Sequence, residues 1–169
     1  MEIKVLSFKK ENVLALGEFV LLLSLALFAP YLKFQWLTGP IVNAILFVST
    51  ILLGSSSAIL IGLIPSVVSL STGLLPIVLA PMIPFIMLGN TILILTFDFL
   101  KKKNYWLAIV SSSFLKFFFL FLTSEAVINL LLKKETATKV ASMMSWPQFF
   151  TALAGGAIAY LFLKSIKKK

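Results

Sequence analysis

Lys116 sits inside one of the most apolar stretches of the chain, Ser111-Ser112-Ser113-Phe114-Leu115-Lys116-Phe117-Phe118-Phe119-Leu120. An ionisable group at such a place is costly and needs a partner, because lipid cannot solvate it. If the stretch is a helix, Ser112 and Ser113 lie four and three residues back on the same face, and Thr123 lies seven on. One stripe of a very apolar helix is then polar. Two roles are open to the lysine. It anchors an anionic or carbonyl group of a ligand, or it pairs internally with Glu18, an acidic residue in the first apolar run. Asn90, at a comparable depth in another run, can both donate and accept. It either contacts a ligand or ties helices together, a common use of Asn in membrane bundles.

Other chemistry is narrowed by what the chain lacks. There is no Cys, no His and no Arg; all fifteen basic residues are Lys. Cys–His metal sites, Ser-His-Asp triads and Cys-His dyads are thereby removed. No glycine-rich phosphate loop and no acidic cluster with metal-ligand spacing is visible. Intramembrane proteolysis would need a Ser–His pair, paired aspartates or a metal motif, and none is there. The expectation is a protein that is not an enzyme, with no cofactor and no metal, and without ATP hydrolysis of its own. The remaining acids have simpler readings. Asp98 lies three residues before Lys101-Lys102-Lys103 and is expected to pair there, and Glu125 is expected to be solvated near a helix end.

The elements that must position these residues follow from composition. The 169-residue chain is 60% hydrophobic and 12% charged, against about 45–50% and about 25% in soluble domains. Mean hydropathy is +1.06. So few charges cannot cover a water-exposed surface, and the solvent for most of the chain is lipid. The expected fold is an all-α integral membrane bundle, one transmembrane domain over residues 1–169. A spanning helix needs about 20 mainly apolar residues. The runs fall at about 13–31, 41–53, 58–72, 76–99, 106–124 and 146–163, the fifth continuing as helix to about 132. The first is longer than the apolar core of a cleavable signal sequence and is read as a true span. Residues 33–40, closed by Gly39-Pro40, read as a polar turn, with Pro40 opening the second helix.

Whether 41–72 makes one span or two is decided by charge. With two, and the N-terminus inside, lysines 4, 9, 10, 101–103, 164 and 167–169 are cytoplasmic, and 33, 133, 134 and 139 are outside: ten against four. With one, six lysines face in and eight face out. Positive residues concentrate on the cytoplasmic side. The expectation is six transmembrane helices with both termini cytoplasmic, the second span short and tilted. The net charge of +9 is thus assigned to membrane orientation, not to nucleic acid. In this arrangement Asn43, Gln148 and Thr151 begin spans in the outer half, where a ligand would enter. Trp36 and Trp146 lie at outer ends, as interfacial tryptophans do. On the last span, Ala152/Gly156 and Gly155/Ala159 have the small-xxx-small spacing of close helix packing.

Two segments add a resemblance. One is Gln35-Trp36-Leu37-Thr38-Gly39-Pro40-Ile41-Val42-Asn43-Ala44. The other runs from Gly62-Leu63-Ile64-Pro65-Ser66 to Leu79-Ala80-Pro81-Met82-Ile83-Pro84-Phe85-Ile86-Met87-Leu88-Gly89-Asn90. With the size, the basic charge and six spans, the chain resembles the substrate-binding S component of energy-coupling-factor (ECF) transporters. The resemblance implies a plasma-membrane receptor for a vitamin or similar small molecule, bound near the outer face. It implies as partners a transmembrane coupling subunit and two cytoplasmic ATPase subunits. It also implies that the loop between the first two spans, here holding Gln35, Trp36 and Thr38, closes the pocket. The first span lacks the Ala-x-x-x-Ala pattern that many members use for docking.

The ligand-binding set expected on these grounds is Lys116, Asn90, Asn43, Trp36, Gln35, Thr38, Gln148 and Ser113. A standalone channel or secondary transporter using Lys116 and Glu18 as a charge relay, and a ligand-free assembly subunit, remain as alternatives.

Overall fold

The computed structural model describes residues 10–71, 77–131 and 140–166. They form an all-α bundle. Helix α1 (Lys10–Phe28) runs on as a 3-10 turn, Ala29–Leu32. Then come α2 (Gln35–Leu52), α3 (Ser55–Ser71), a 3-10 segment Ile77–Met82, α4 (Ile83–Leu100), α5 (Tyr105–Leu131) and α6 (Trp146–Ile166). Five spans are long and apolar enough to cross a membrane: Asn12–Leu32, Gln35–Leu52, Leu79–Leu100, Tyr105–Ile128 and Val140–Ile166. Residues 72–76 and the lysines at 133, 134, 139 and 167–169 lie outside the described residues.

Two boundaries differ from the sequence reading, for one reason. The second helix starts at Gln35 and takes in Gly39-Pro40, so it is a full-length span, and the turn before it shrinks to Lys33-Phe34. Proline removes one backbone bond and clashes one turn back, which usually breaks a helix. Here it is the sixth residue of the helix, so the one bond lost, to the Trp36 carbonyl, lies in the first turn and the rest of the ladder is intact. The turn itself is made by Lys33 at φ 53°, whose N–H donates to the carbonyl of Pro30. The short apolar helix is instead α3, whose apolar part is Ser55–Val68. The break between α2 and α3 lies at Gly54, whose φ of 85° glycine adopts without steric cost.

The helices alternate in direction. The end of α2 meets the end of α4, where Lys101 Nζ bonds the Thr50 carbonyl at 3.0 Å and Asp98 at 2.6 Å. Ser55, opening α3, donates to the same Asp98 at 3.1 Å. The start of α5 meets the end of α6, where the rings of Tyr105 and Tyr160 are 5.3 Å apart. An open groove of about 420 Å³ lies at this same end, between Asn12, Leu16 and Phe19 of α1 and Leu52, Leu53 and Ser57. The start of α1 and the end of α6 therefore leave the bundle on one side, as six alternating helices require.

Two apolar cores form. The larger joins Leu46 and Phe47 of α2, Ile61 of α3, Leu93 and Phe97 of α4, Ile109 of α5 and Ala152 and Ala159 of α6. The smaller, toward the opposite end, joins Leu79, Met82, Leu120, Val127, Val140 and Met144. Along α4 the residues separating the two cores include Asn90; along α5 they are Ser112, Ser113 and Lys116.

Helix α2 packs most extensively on α6, and small residues make this close approach. A Cβ on Gly155 would stand 2.7 Å from Asn43 Cβ and 2.8 Å from both the Ala44 nitrogen and the Pro40 carbonyl oxygen. One on Gly39 would stand 2.8 Å from Thr151 Cβ. With no hydrophobic drive between helices in lipid, such contacts supply the packing energy. The expected small-residue face of the last span is thus turned inward, with Ala152, Gly155, Gly156 and Ala159 all buried.

Because two of the three atoms crowding Gly155 are backbone, Gly155→Ala should cost about 1–3 kcal/mol through overpacking. Gly17→Ala, on α1 with nothing within 4 Å, should be neutral or stabilise by about 0.5–1 kcal/mol. Thermal unfolding of both variants in detergent compares them directly.

Candidate functional site

The polar layer between the two cores is centred on Lys116. Asn43, Asn90 and Lys116 each stand at the midpoint of their spans, Gln35–Leu52, Leu79–Leu100 and Tyr105–Ile128. Three helices therefore bring one polar residue each to the same depth. Lys116 Nζ donates to Asn43 Oδ1 at 2.7 Å and to Asn90 Oδ1 at 2.8 Å. All three side chains are buried, Lys116 at 4% exposure, Asn43 at 2% and Asn90 at 4%. Asn90 is fixed from its other side, because its Nδ2 donates to the Gly62 carbonyl of α3 at 3.0 Å. Gly62 lets the helices pack closely here: a Cβ there would stand 3.4 Å from Asn90 Cβ and 3.3 Å from the end of the Leu46 side chain.

Electrostatically the site is one-sided. The oxygens around the lysine nitrogen are neutral amides. The one ion pair among the described residues is Asp98–Lys101, at the end of α4. Glu18 is exposed on α1, and α1 packs on α2 and α3. The expected alternative of a Lys116–Glu18 pair is therefore not formed; amide dipoles take the place of a counter-ion. Ser112 Oγ bonds the Ile109 carbonyl of its own helix at 3.1 Å. Ser113 is fully buried and its hydroxyl has no hydrogen-bond partner among the described residues.

The other expected residues lie nearer the opposite end from the Lys101 cluster, and the structure sorts them apart from the Lys116 group. Gln35 Nε2 and Gln148 Nε2 donate to one oxygen, the Met143 carbonyl, at 2.8 and 3.0 Å. This ties the first turn of α2 and the first turn of α6 to the helical segment 140–144. Thr38 bonds the Ala29 carbonyl at 3.2 Å, closing the α1–α2 turn. Trp36 is 52% exposed on the outside of the bundle and touches none of the buried polar group's hydrogen bonds. Gln35, Trp36 and Thr38 are thus helix residues, not a loop, and Gln35 stands about 12 Å along α2 from Asn43 at 1.5 Å per residue. Asn43 likewise sits in mid-helix, not at the start of a span.

Two participants carry no mark in the sequence: the carbonyls of Gly62 and Met143, since every residue has one. Beyond this group, an aromatic wall on the outside of the bundle joins α5 to the start of α6, with Phe114, Phe118, Trp146 and Phe150 exposed. Phe117, next to Lys116, stacks on Trp146 with ring centroids 4.9 Å apart, and Phe149 lies 6.1 Å from Phe117. The phenylalanine-rich run in α5 is the sequence signal for this wall.

No family model, curated protein sequence or solved structure matches the chain.

The double role of Asn90 sets its expected cost. Asn90→Leu removes one acceptor from the buried Lys116 and the side-chain bond that ties α4 to the Gly62 carbonyl of α3. Unfolding free energy should fall by about 2–5 kcal/mol, since a buried donor left unsatisfied costs about 1–3 kcal/mol, and more when it is charged. Thr91→Ala, on the neighbouring half-buried position bonded only to its own helix, should change it by less than about 1 kcal/mol.

Proposed function

We propose that the chain is the membrane-embedded substrate-binding subunit of an importer of the energy-coupling-factor type, taking up a vitamin or similar small micronutrient across the plasma membrane. The observation that carries this reading is the buried Lys116, held at mid-depth by neutral amides from two other helices with no carboxylate beside it. In net stability a bundle gains little from such a group, since burying a charge costs several kcal/mol that packed apolar residues would not. A binding site gains a fixed donor set on apolar walls, the usual make-up of a ligand pocket.

The route to Lys116 runs from the end closed by Gln35, Gln148 and the Met143 carbonyl. Releasing the Gln35 bond removes the side-chain tie between α2 and the segment before α6. On this reading the ligand is captured from the outer face, and the energy for release inward comes from a transmembrane coupling subunit and two cytoplasmic ATPase subunits. The charge-relay alternative loses its second member, because Glu18 and Lys116 do not meet.

Thermal unfolding of the detergent-purified protein against vitamins, nucleobases and amino acids tests the reading. A ligand that binds only the folded chain adds about 4 kcal/mol at a thousand times its dissociation constant. One compound should raise the unfolding midpoint clearly, and Lys116→Ala should weaken its binding at least tenfold. No shift across the panel, with stable co-purification of another membrane protein, would point to an assembly subunit instead.

A further inference from the structure

We propose that the ligand held at Lys116 is a monoanion that presents a carboxylate to the unused donors of Lys116, Ser113 and Asn43. The proposal rests on the binding-subunit reading and names the chemical class that the site selects.

Donors outnumber acceptors around the lysine. A lysine ammonium has three N–H donors. Asn43 and Asn90 accept two of them, at 2.7 and 2.8 Å. Ser113, one turn back on the same face of α5, has a fully buried hydroxyl with no partner among the described residues. The two asparagines are not equivalent. The Asn90 amide nitrogen is committed to the Gly62 carbonyl at 3.0 Å, while that of Asn43 donates to no group among the described residues. Asn90 is therefore a fixed wall, and Asn43 a half-used one. These three residues leave four donors unused within one helical turn of each other, one on Lys116, one on Ser113 and two on Asn43, beside a positive charge.

A neutral carbonyl would accept from one or two of these donors and leave the charge uncompensated. A carboxylate has two oxygens with about four acceptor sites. It can accept from all four donors and supplies the missing negative charge, in bonds about twice as strong as neutral ones. A phosphate brings close to two charges at neutral pH. The site offers a single lysine: of the described lysines, Lys33 is exposed beyond the start of α2 and Lys101–Lys103 and Lys164 lie at the opposite end. The balance of charge thus favours one carboxylate over a phosphate.

The test uses carboxylate and carboxamide pairs of the same skeleton: nicotinate and nicotinamide, biotin and biotin amide, 4-aminobenzoate and 4-aminobenzamide, with inorganic phosphate alongside. Thermal unfolding is followed for the wild-type chain and for Ser113→Ala and Asn43→Asp. At least one carboxylate should raise the midpoint while its amide and phosphate do not. Ser113→Ala should weaken that carboxylate about tenfold, the value of a hydrogen bond to a charged group. Asn43→Asp places a carboxylate where the amide oxygen now lies. It should raise the midpoint of the ligand-free protein and abolish the response to added carboxylates.

Equal stabilisation by a carboxylate and its amide would overturn the proposal and leave the receptor reading intact. So would stabilisation only by a compound without a carboxylate. An Asn43→Asp protein that is less stable than wild type and still responds to carboxylates would also overturn it. A chain that no compound stabilises would end both readings together.

Discussion

A lysine nitrogen in the middle of a bilayer has to be solvated by the protein, and this requirement organises the bundle around Lys116. Its two amide oxygens come from α2 and α4, and one of the amides is held in turn by the backbone of α3. Four helices are thereby fixed at one depth. A shift of any of them by a single residue, 1.5 Å along the axis, would pull an acceptor out of hydrogen-bond range and leave a buried charge exposed to lipid. Apolar side chains against lipid tails impose no comparable register, since one packed arrangement is nearly as good as the next. The polar group therefore supplies specificity that the apolar cores on either side do not.

The small residues serve the same end. Asn43 can face Lys116 only because α6 lies close behind it, and α6 comes that close only because Gly155 has no side chain. Gly62 plays the corresponding part on α3, where it lets the helices pack closely and its carbonyl accepts from Asn90. At the cytoplasmic end expected from the lysine distribution, the Asp98–Lys101 pair and the Thr50 carbonyl join α2, α3 and α4. This pair is partly exposed, and such pairs contribute about 0–1 kcal/mol. It closes helix ends; it does not set the depth of the helices.

Much of this architecture is legible in the sequence. The composition demands lipid as solvent, and the break at Gly54 and the lysine distribution point to six helices. Lys116, Asn90 and Ser113 stand out because polar groups in apolar runs are costly. The misleading feature is Gly39-Pro40. In water the pair marks a turn; near the start of a membrane helix it costs a single first-turn bond, and the chain keeps the helix. Reading it as a turn moves Asn43 from mid-span to a helix start and makes Gln35, Trp36 and Thr38 loop residues. The choice between Asn43 and Glu18 as partner for Lys116 depends on which helices are neighbours, and that is a property of packing, not of local pattern. Backbone acceptors are invisible for the simplest reason, that they carry no sequence signature.

The separation of the apolar interior into two cores has a consequence for how the molecule breathes. The two cores are separated by a largely polar layer, so disorder in one need not spread into its neighbour. The smaller core, with Leu79, Met82, Val140 and Met144, draws on chain segments flanking residues 72–76 and 132–139, and only Leu120 and Val127 of its buried members lie within a long uninterrupted helix. The larger is built from the middle of continuous helices. Proteins open in contiguous cooperative units whose free energies differ. Here the boundary between such units coincides with the layer that holds Lys116, so amide protons should exchange in two classes divided at that depth. The smaller core, with fewer members in continuous helices, is the one expected to exchange first.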